Sequence, residues 1–365
     1  MTTKKIILAG GGTGGHIFPA IAIANALKKA DPGVEVLFVG AKGKMEMEKI
    51  PQAGYNIKGL DIAGFNRSSL IKNISLPFKL AKSFFQVRRI VNEFRPDAVI
   101  GVGGYSSFPV LKYAQVRNIP TFIHESNSFA GKSNVFLGKK ATKIFVATDG
   151  MEKFFPADRI MVTGNPVRVS IVNSRVSREE GAGFFGLDST KKIILATGGS
   201  LGAKGINEAI DANIDAFSAN DVQLIWQTGK PYADRAAAIS RNKKGIWTNA
   251  FITEMEKAYA AADVIISRAG AMTIAELCVA KKPVVFVPYP FAAEDHQTVN
   301  AENLARQQAG MVVKDSEAKD KLVQIAIALA KDEKKQNELK ENIGRLSIVD
   351  ADVRIAAEIL KRIRT

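Results

Sequence analysis

Short apolar runs alternate along this chain with longer stretches whose apolar residues recur at helical spacing. Residues 6–9, 34–40, 97–101, 120–125, 143–146 and 160–163 read as short buried strands, and 17–28 is the first of the helical patterns between them. The second half repeats the alternation, with strands predicted at 193–197, 222–226, 246–247, 264–267, 283–288 and 311–313. From Ser316 onward two or three amphipathic helices finish the chain. Strands alternating with helices predict α/β architecture with doubly wound parallel sheets. In such sheets ligands sit beyond the carboxyl ends of the strands, where Gly10, Gly101 and His124 fall.

One phrase occurs twice. Lys4-Lys5-Ile6-Ile7-Leu8-Ala9 leads into Gly10-Gly11-Gly12-Thr13-Gly14-Gly15-His16, and Lys191-Lys192-Ile193-Ile194-Leu195-Ala196 leads into Thr197-Gly198-Gly199-Ser200-Leu201-Gly202. Each reads as strand, Gly-rich turn and helix start, so the chain is expected to hold two similar Rossmann-like domains facing across a cleft. Backbone N–H groups in such a turn, with the following helix N-terminus, suit an anion, and a diphosphate is the expected guest. The alternative is a plain tight turn, which does not call for five glycines. Gly164-Asn165-Pro166 punctuates a boundary. The expected organisation is an N-terminal domain over 1–163, a C-terminal domain over 164–344 and a terminal helix, 345–365, packing back on the N-terminal domain.

Charge sharpens this picture. The net charge is +15, and residues 1–165 hold 23 Lys/Arg against 11 Asp/Glu, so the surplus belongs to the first half and implies an anionic partner. The 31 residues 62–92 contain no acid but six cations, interleaved with phenylalanines, leucines and isoleucines. Apolar side chains with a cationic fringe suit an anionic membrane surface, with Lys72, Lys79, Lys82, Phe84 and Phe85 as contact residues. The competing reading is an ordinary amphipathic helix packed on its own sheet; nucleic acid is disfavoured. The single cysteine, Cys278, excludes a disulfide framework and reads as a small buried hydrophobe. No secretion signal or membrane-spanning run is visible.

Several chemistries are disfavoured by what the motifs lack. Gly10-x-Gly12-x-x-Gly15 matches a dinucleotide fingerprint, but the second strand ends Val39-Gly40-Ala41-Lys42, without the acid that would hold a nicotinamide ribose. No P-loop occurs. The only Asp-x-Asp, Asp350-Ala351-Asp352, precedes the terminal helix and reads as a cap. With no His/Cys cluster either, no metal and no cofactor are expected, leaving backbone amides and cations to neutralise a diphosphate. The three histidines, His16, His124 and His296, fall at loop or strand-end positions that suit catalysis or sugar contact.

Six motifs then appear in a telling order: the Gly10–His16 loop, His124-Glu125-Ser126-Asn127, Gly164-Asn165-Pro166-Val167-Arg168, Gly198-Gly199-Ser200-Leu201-Gly202-Ala203, Ser267-Arg268-Ala269-Gly270-Ala271-Met272-Thr273-Ile274-Ala275-Glu276, and Glu294-Asp295-His296-Gln297-Thr298-Val299-Asn300. By these the chain resembles the MurG family of bacterial glycosyltransferases, of the two-Rossmann-domain (GT-B) class. The resemblance implies inverting transfer of N-acetylglucosamine from UDP-GlcNAc to the muramyl 4-hydroxyl of lipid I, giving lipid II for peptidoglycan synthesis. It implies a peripheral enzyme on the cytoplasmic face of the plasma membrane, with other cell-wall synthesis proteins as possible partners. It further implies that Ile252 meets uracil through its backbone, Glu276 the ribose hydroxyls and Ser200 a phosphate. Arg168 would lie over the nucleotide, Ala271, Met272 and Thr273 would offer N–H groups, and Gln297 and Asn127 would read the sugar. Thr13, Gly14 and Gly15 would close over the donor, and His16, or else Glu125, would be the base. Ser126 and His296 depart from the family's commoner residues without removing a donor-binding group. A UDP-GlcNAc 2-epimerase of the same fold is the alternative.

Overall fold

The computed structural model describes residues 3–62, 76–199, 201–292 and 295–363. The chain divides into two compact units, one of Met1–Val167 with Asp350–Thr365, the other Arg168–Val349.

The first unit is built on seven strands: β1 (Lys5–Ala9), β2 (Glu35–Ala41), β3 (Asn56–Leu60), β4 (Ala98–Gly101), β5 (Thr121–Glu125), β6 (Lys143–Val146) and β7 (Ile160–Val162). They lie in the order β3-β2-β1-β4-β5-β6-β7, every pair parallel. A strand covered on both faces must be apolar at successive positions. In β1, Ile6 and Leu8 join the core on one face, Ile7 and Ala9 that on the other. On the first face α1 (Gly14–Ala30) lays Ile17, Ile23 and Leu27, and the terminal helix Ala351–Arg362 lays Ile355, Ile359 and Leu360, into one cluster. After α2 (Glu46–Gln52), α3 (Leu76–Phe94) covers the other face with Val87 and Val91, beside Val110, Leu111 and Ala114 of α4 (Ser107–Val116).

The edge strand β3 is absent from the sequence reading. Its sequence, Asn-Ile-Lys-Gly-Leu, is poor in strand formers, and it is ordered by its ladder on β2 from Leu37↔Asn56 to Ala41↔Leu60. The capping expectation for Asp350 is also corrected: it stands at the N-cap of the last helix, but its side chain makes no cap hydrogen bond.

The second unit repeats the plan with β8 (Lys192–Thr197), β9 (Val222–Gln227), β10 (Ile246–Asn249), β11 (Val264–Ser267), β12 (Val284–Phe286) and β13 (Met311–Val312). Their order, β10-β9-β8-β11-β12-β13, is that of the first six strands of the other sheet, again all parallel. In both units strand order reverses at the strand of the repeated phrase. The loops after β1 and β4, and after β8 and β11, therefore border the two crevices where such sheets bind ligands.

Candidate active site

In the first unit the glycine loop is held from both sides. Gly10 N–H donates to Val39, and Gly11 N–H donates to Gly103 in the loop after β4. Gly12 N–H donates to the carboxylate of Glu46 at 2.8 Å. The acid that the end of β2 lacked in sequence thus arrives from α2 and takes one of the loop's own amides. Gly12 N–H is therefore committed to an internal anion and is not among the amides that could face a diphosphate.

His16, in the first turn of α1, places Nδ1 3.0 Å from the Gly11 carbonyl and 3.4 Å from the Thr13 hydroxyl. A carbonyl only accepts, so Nδ1 carries a proton, and in the neutral ring the lone pair is then on Nε2. The ring rests on Gly103, where an added Cβ would come 2.7 Å from Nε2. Thr13 is exposed at the helix N-cap, and Gly14 and Gly15 follow in its first turn.

A second motif histidine, His124, is different. His124 is 1% exposed, on β5. Burial, reinforced by the nearby His16 and opposed by a backbone bond with Gly164, brings its pKa down to about 4. It is a neutral core residue. Glu125, 4% exposed, accepts from Asn127 N–H at 3.1 Å, Asn127 Nδ2 at 3.3 Å, Gly131 N–H at 3.1 Å and Asn134 Nδ2 at 2.8 Å. Four donors on one carboxylate occupy its lone pairs and leave none for an incoming hydroxyl. Glu125 is thereby corrected from a candidate base to the brace of the loop that carries Asn127.

In the second unit the glycine loop leaves β8. Gly202, with φ +76°, abuts Thr228, where an added Cβ would lie 2.0 Å from the carbonyl oxygen. Ser200 lies outside the described residues. Gln227 ties this loop to the next: Nε2 donates to the Gly199 carbonyl at 2.9 Å, and Oε1 accepts from Ile252 N–H at 3.0 Å. Ile252 is buried, so of its backbone groups the N–H is engaged internally. Glu276, in the helix Ala271–Ala280, accepts from Arg168 Nε at 2.8 Å and Nη2 at 2.9 Å, and from the Tyr259 hydroxyl at 3.1 Å. Ala271, Met272 and Thr273 form the first turn of that helix. The loop before it is set by Arg268, whose Nη1 donates to the carbonyls of Val287 and Pro288 at 3.0 Å each. Gln297 accepts through Oε1 from Tyr289 N–H at 3.0 Å.

Comparison with known proteins gives these loops a family. A model of the glycosyltransferase family 28 N-terminal domain matches residues 6–146, and one of its C-terminal domain matches residues 193–355. The chain is 50% identical, over 98% of its length and 96% of the relative's, to the UDP-N-acetylglucosamine–N-acetylmuramyl-(pentapeptide) pyrophosphoryl-undecaprenol N-acetylglucosamine transferase of Phocaeicola vulgatus. The chain belongs to the MurG glycosyltransferase family. The crystal structure of Acinetobacter baumannii MurG superposes with a TM-score of 0.77 at 29% identity, covering 98% of this chain and 99% of that one. A UDP-N-acetylglucosamine 2-epimerase structure superposes at 0.68 with 14% identity, over 98% of this chain and 95% of its own, and shares the fold alone.

Against the MurG motifs, the structure brings Thr13, Gly14, Gly15 and His16 together at one strand end of the first unit, and Arg168 with Glu276 in the second. Four residues that shape these loops lie outside the quoted motifs: Glu46, Gly103, Gln227 and Tyr259. Glu46 was within reach of sequence reasoning, as the only acid between β2 and β3 besides Glu48.

From Leu76 onward the basic stretch is one helix, α3, with a buried and an exposed face. Lys72 lies outside the described residues. On α3, Ser83, Val87 and Val91 are buried, and Phe84 is half-buried. Phe78 and Phe85 are 79% and 72% exposed. Lys82 pairs with Asp61 at 2.9 Å, as does Lys42 at 2.9 Å. These two cations hold the Asp61 carboxyl down at about 2. The acid-free stretch thus borrows an acid from just outside it. No helix among the described residues is long and apolar enough to cross a membrane.

Proposed function

We propose that the chain transfers N-acetylglucosamine from UDP-GlcNAc to the 4-hydroxyl of the muramyl sugar of lipid I, making lipid II. The observation that carries this is the 50% identity, over 98% of the chain, to a transferase named for that reaction. The reaction forms a bond between acceptor O4 and the sugar C1 while the C1–oxygen bond to UDP breaks, inverting the anomeric centre. His16 Nε2, with its lone pair, accepts the proton of the 4-hydroxyl. In the second unit Glu276 receives the ribose hydroxyls, sharing or exchanging its bonds to Arg168, which then lies over the nucleotide. The uracil N3–H meets the Ile252 carbonyl, because the Ile252 N–H is engaged by Gln227. Amides of the loop from Gly198 and of Met272 and Thr273 face the leaving diphosphate, and Gln297 and Asn127 read the sugar. The exposed face of α3 meets anionic lipid, keeping the enzyme peripheral on the cytoplasmic face of the membrane.

The test is transfer of radiolabelled GlcNAc from UDP-GlcNAc to a lipid I analogue. A labelled disaccharide product supports the reading. Formation of the 2-epimer of UDP-GlcNAc in the absence of acceptor, with no transfer in its presence, replaces it with the isomerase.

A further inference from the structure

The peptide group between Gly11 and Gly12 is gripped at both ends. Its carbonyl accepts from His16 Nδ1 at 3.0 Å, and its N–H donates to Glu46 Oε2 at 2.8 Å. Glu46 is 1% exposed, and its other oxygen, Oε1, accepts from Ala41 N–H at 2.9 Å. Its slot exists because two glycines admit it. A Cβ on Gly11 would lie 2.3 Å from the Glu46 carboxyl carbon, and a Cβ on Gly40 2.5 Å from its Cγ.

We infer that Glu46 sets the tautomer of His16 through this one peptide group. An amide flanked by two glycines can turn over by a paired change in the ψ of the first and the φ of the second, since glycine meets no Cβ penalty at either sign of φ. Turned over, the group would present its N–H to His16. Nδ1 would then have to accept, and Nε2 would carry the proton. A carboxylate forbids that orientation: its oxygens only accept, so turning the Gly11 carbonyl toward it would set oxygen against oxygen in a buried place. Glu46 thus fixes the carbonyl toward His16, the carbonyl fixes the proton on Nδ1, and Nε2 is left to accept. Hydrogen bonds in series also polarise one another, so the charge on Glu46 strengthens the carbonyl as an acceptor for Nδ1–H. Glu46 is a positioning residue that acts through another group. The catalytic consequence rests on the reading of His16 as base; the tautomer itself does not.

Nitrogen-15 NMR of the imidazoles tests this, since the chain has only three histidines and a His16→Asn spectrum assigns the one of interest. At a pH where the rings are neutral, wild-type His16 is expected in the Nδ1–H form. Glu46→Gln is expected to move it toward Nε2–H and to lower kcat about a hundredfold, the lower range of a lost general base, with KM for UDP-GlcNAc unchanged. Glu46→Asp keeps the charge but is one methylene short, and is expected to give a mixed tautomer population and intermediate kcat; it decides the matter if Glu46→Gln does not fold. An Nε2–H ring in the wild type, or a wild-type ring in whichever variants fold, overturns the inference. If instead His16→Asn keeps full turnover, the base reading fails while the tautomer result stands.

Discussion

Arg168 grips Glu276 at two points, Nε to Oε1 at 2.8 Å and Nη2 to Oε2 at 2.9 Å, while the fully buried Tyr259 hydroxyl donates to Oε2 at 3.1 Å. The carboxylate proposed to hold the ribose is therefore engaged before any nucleotide arrives. Burial and the Glu276 charge hold the Tyr259 hydroxyl well above its ordinary range, so it remains a donor throughout the working pH.

Glu276→Gln keeps the shape but loses the charge and one acceptor oxygen. A hydrogen bond to a charged group is worth about 1.5–3 kcal/mol, so UDP affinity should fall roughly ten- to a hundredfold. Calorimetric titration with UDP checks this; wild-type affinity would remove Glu276 from the donor site.

Gly103 sits at φ +96°, and a Cβ there would come 2.7 Å from His16 Nε2. Gly103→Ala should cost about 1–3 kcal/mol of backbone strain and push the imidazole off its seat. The expected result is a lower melting temperature and a kcat reduced by roughly a hundredfold, with affinity for UDP itself unaltered because the groups proposed to hold the nucleotide, Arg168, Ile252 and Glu276, belong to the other unit. A variant that turns over normally would show that the ring position is immaterial.

These residues show what the sequence could disclose. The repeated Lys-Lys-Ile-Ile-Leu-Ala phrase announced two like sheets, because a strand covered on both faces must be a continuous apolar run ending where the turn begins. Strand β3 stayed hidden, since Asn56, Lys58 and Gly59 carry no strand signal of their own and pairing with β2 supplies it. The motif residues told which side chains approach the glycine loops but not which of their atoms are already engaged. Glu125 and Glu276 look alike as motif acids in a line of text. Four donors from the loop and helix that follow it saturate the first, whereas the second is held by the side chains of Arg168 and Tyr259. Glu46 belongs to no motif, and its role appears only when α2 carries it beneath the loop.

His124 makes stability depend on pH. Its folded value, about 4, lies below the unfolded value near 6.5. The unfolded chain binds its proton first, so the stabilisation is present above pH 6.5 and is lost as the pH falls from there toward 4. Between pH 7 and pH 5 this one group should remove about 2 kcal/mol. Urea unfolding of wild type and His124→Gln at both pH values measures it. The variant should be less stable at pH 7 but lose about 2 kcal/mol less on acidification. Parallel pH dependences in the two proteins would mean that His124 is not the group responsible.

The membrane proposal keeps Lys79 and Phe85 from the residues the composition suggested and adds Phe78 and Arg88, exposed on the same helix. Lys82 already has Asp61 and Phe84 is half-buried, so the test uses other positions. Phe78, Lys82, Phe85 and Arg89 fall at helical spacing along the outer face of α3, with Lys79 and Arg88 exposed on its flanks. Burying a phenylalanine side chain is worth about 1.5–3 kcal/mol, and a cation near an anionic surface about 1 kcal/mol. The two aromatic rings should therefore outweigh the flanking cations. Phe78→Ser with Phe85→Ser is expected to lower binding to anionic liposomes by more than tenfold at any salt concentration. Lys79→Glu with Arg88→Glu should weaken it at low salt, and that deficit should fade as screening shortens to about 3 Å near 1 M salt. Both variants should turn over a short, water-soluble acceptor normally and a long-chain acceptor in vesicles poorly. If the phenylalanine variant binds vesicles like the wild type, the lipid-facing surface lies away from α3. If both acceptors are lost equally, α3 serves the packing of its own sheet, because only a surface used at the bilayer can distinguish an acceptor that stays in the membrane from one that does not.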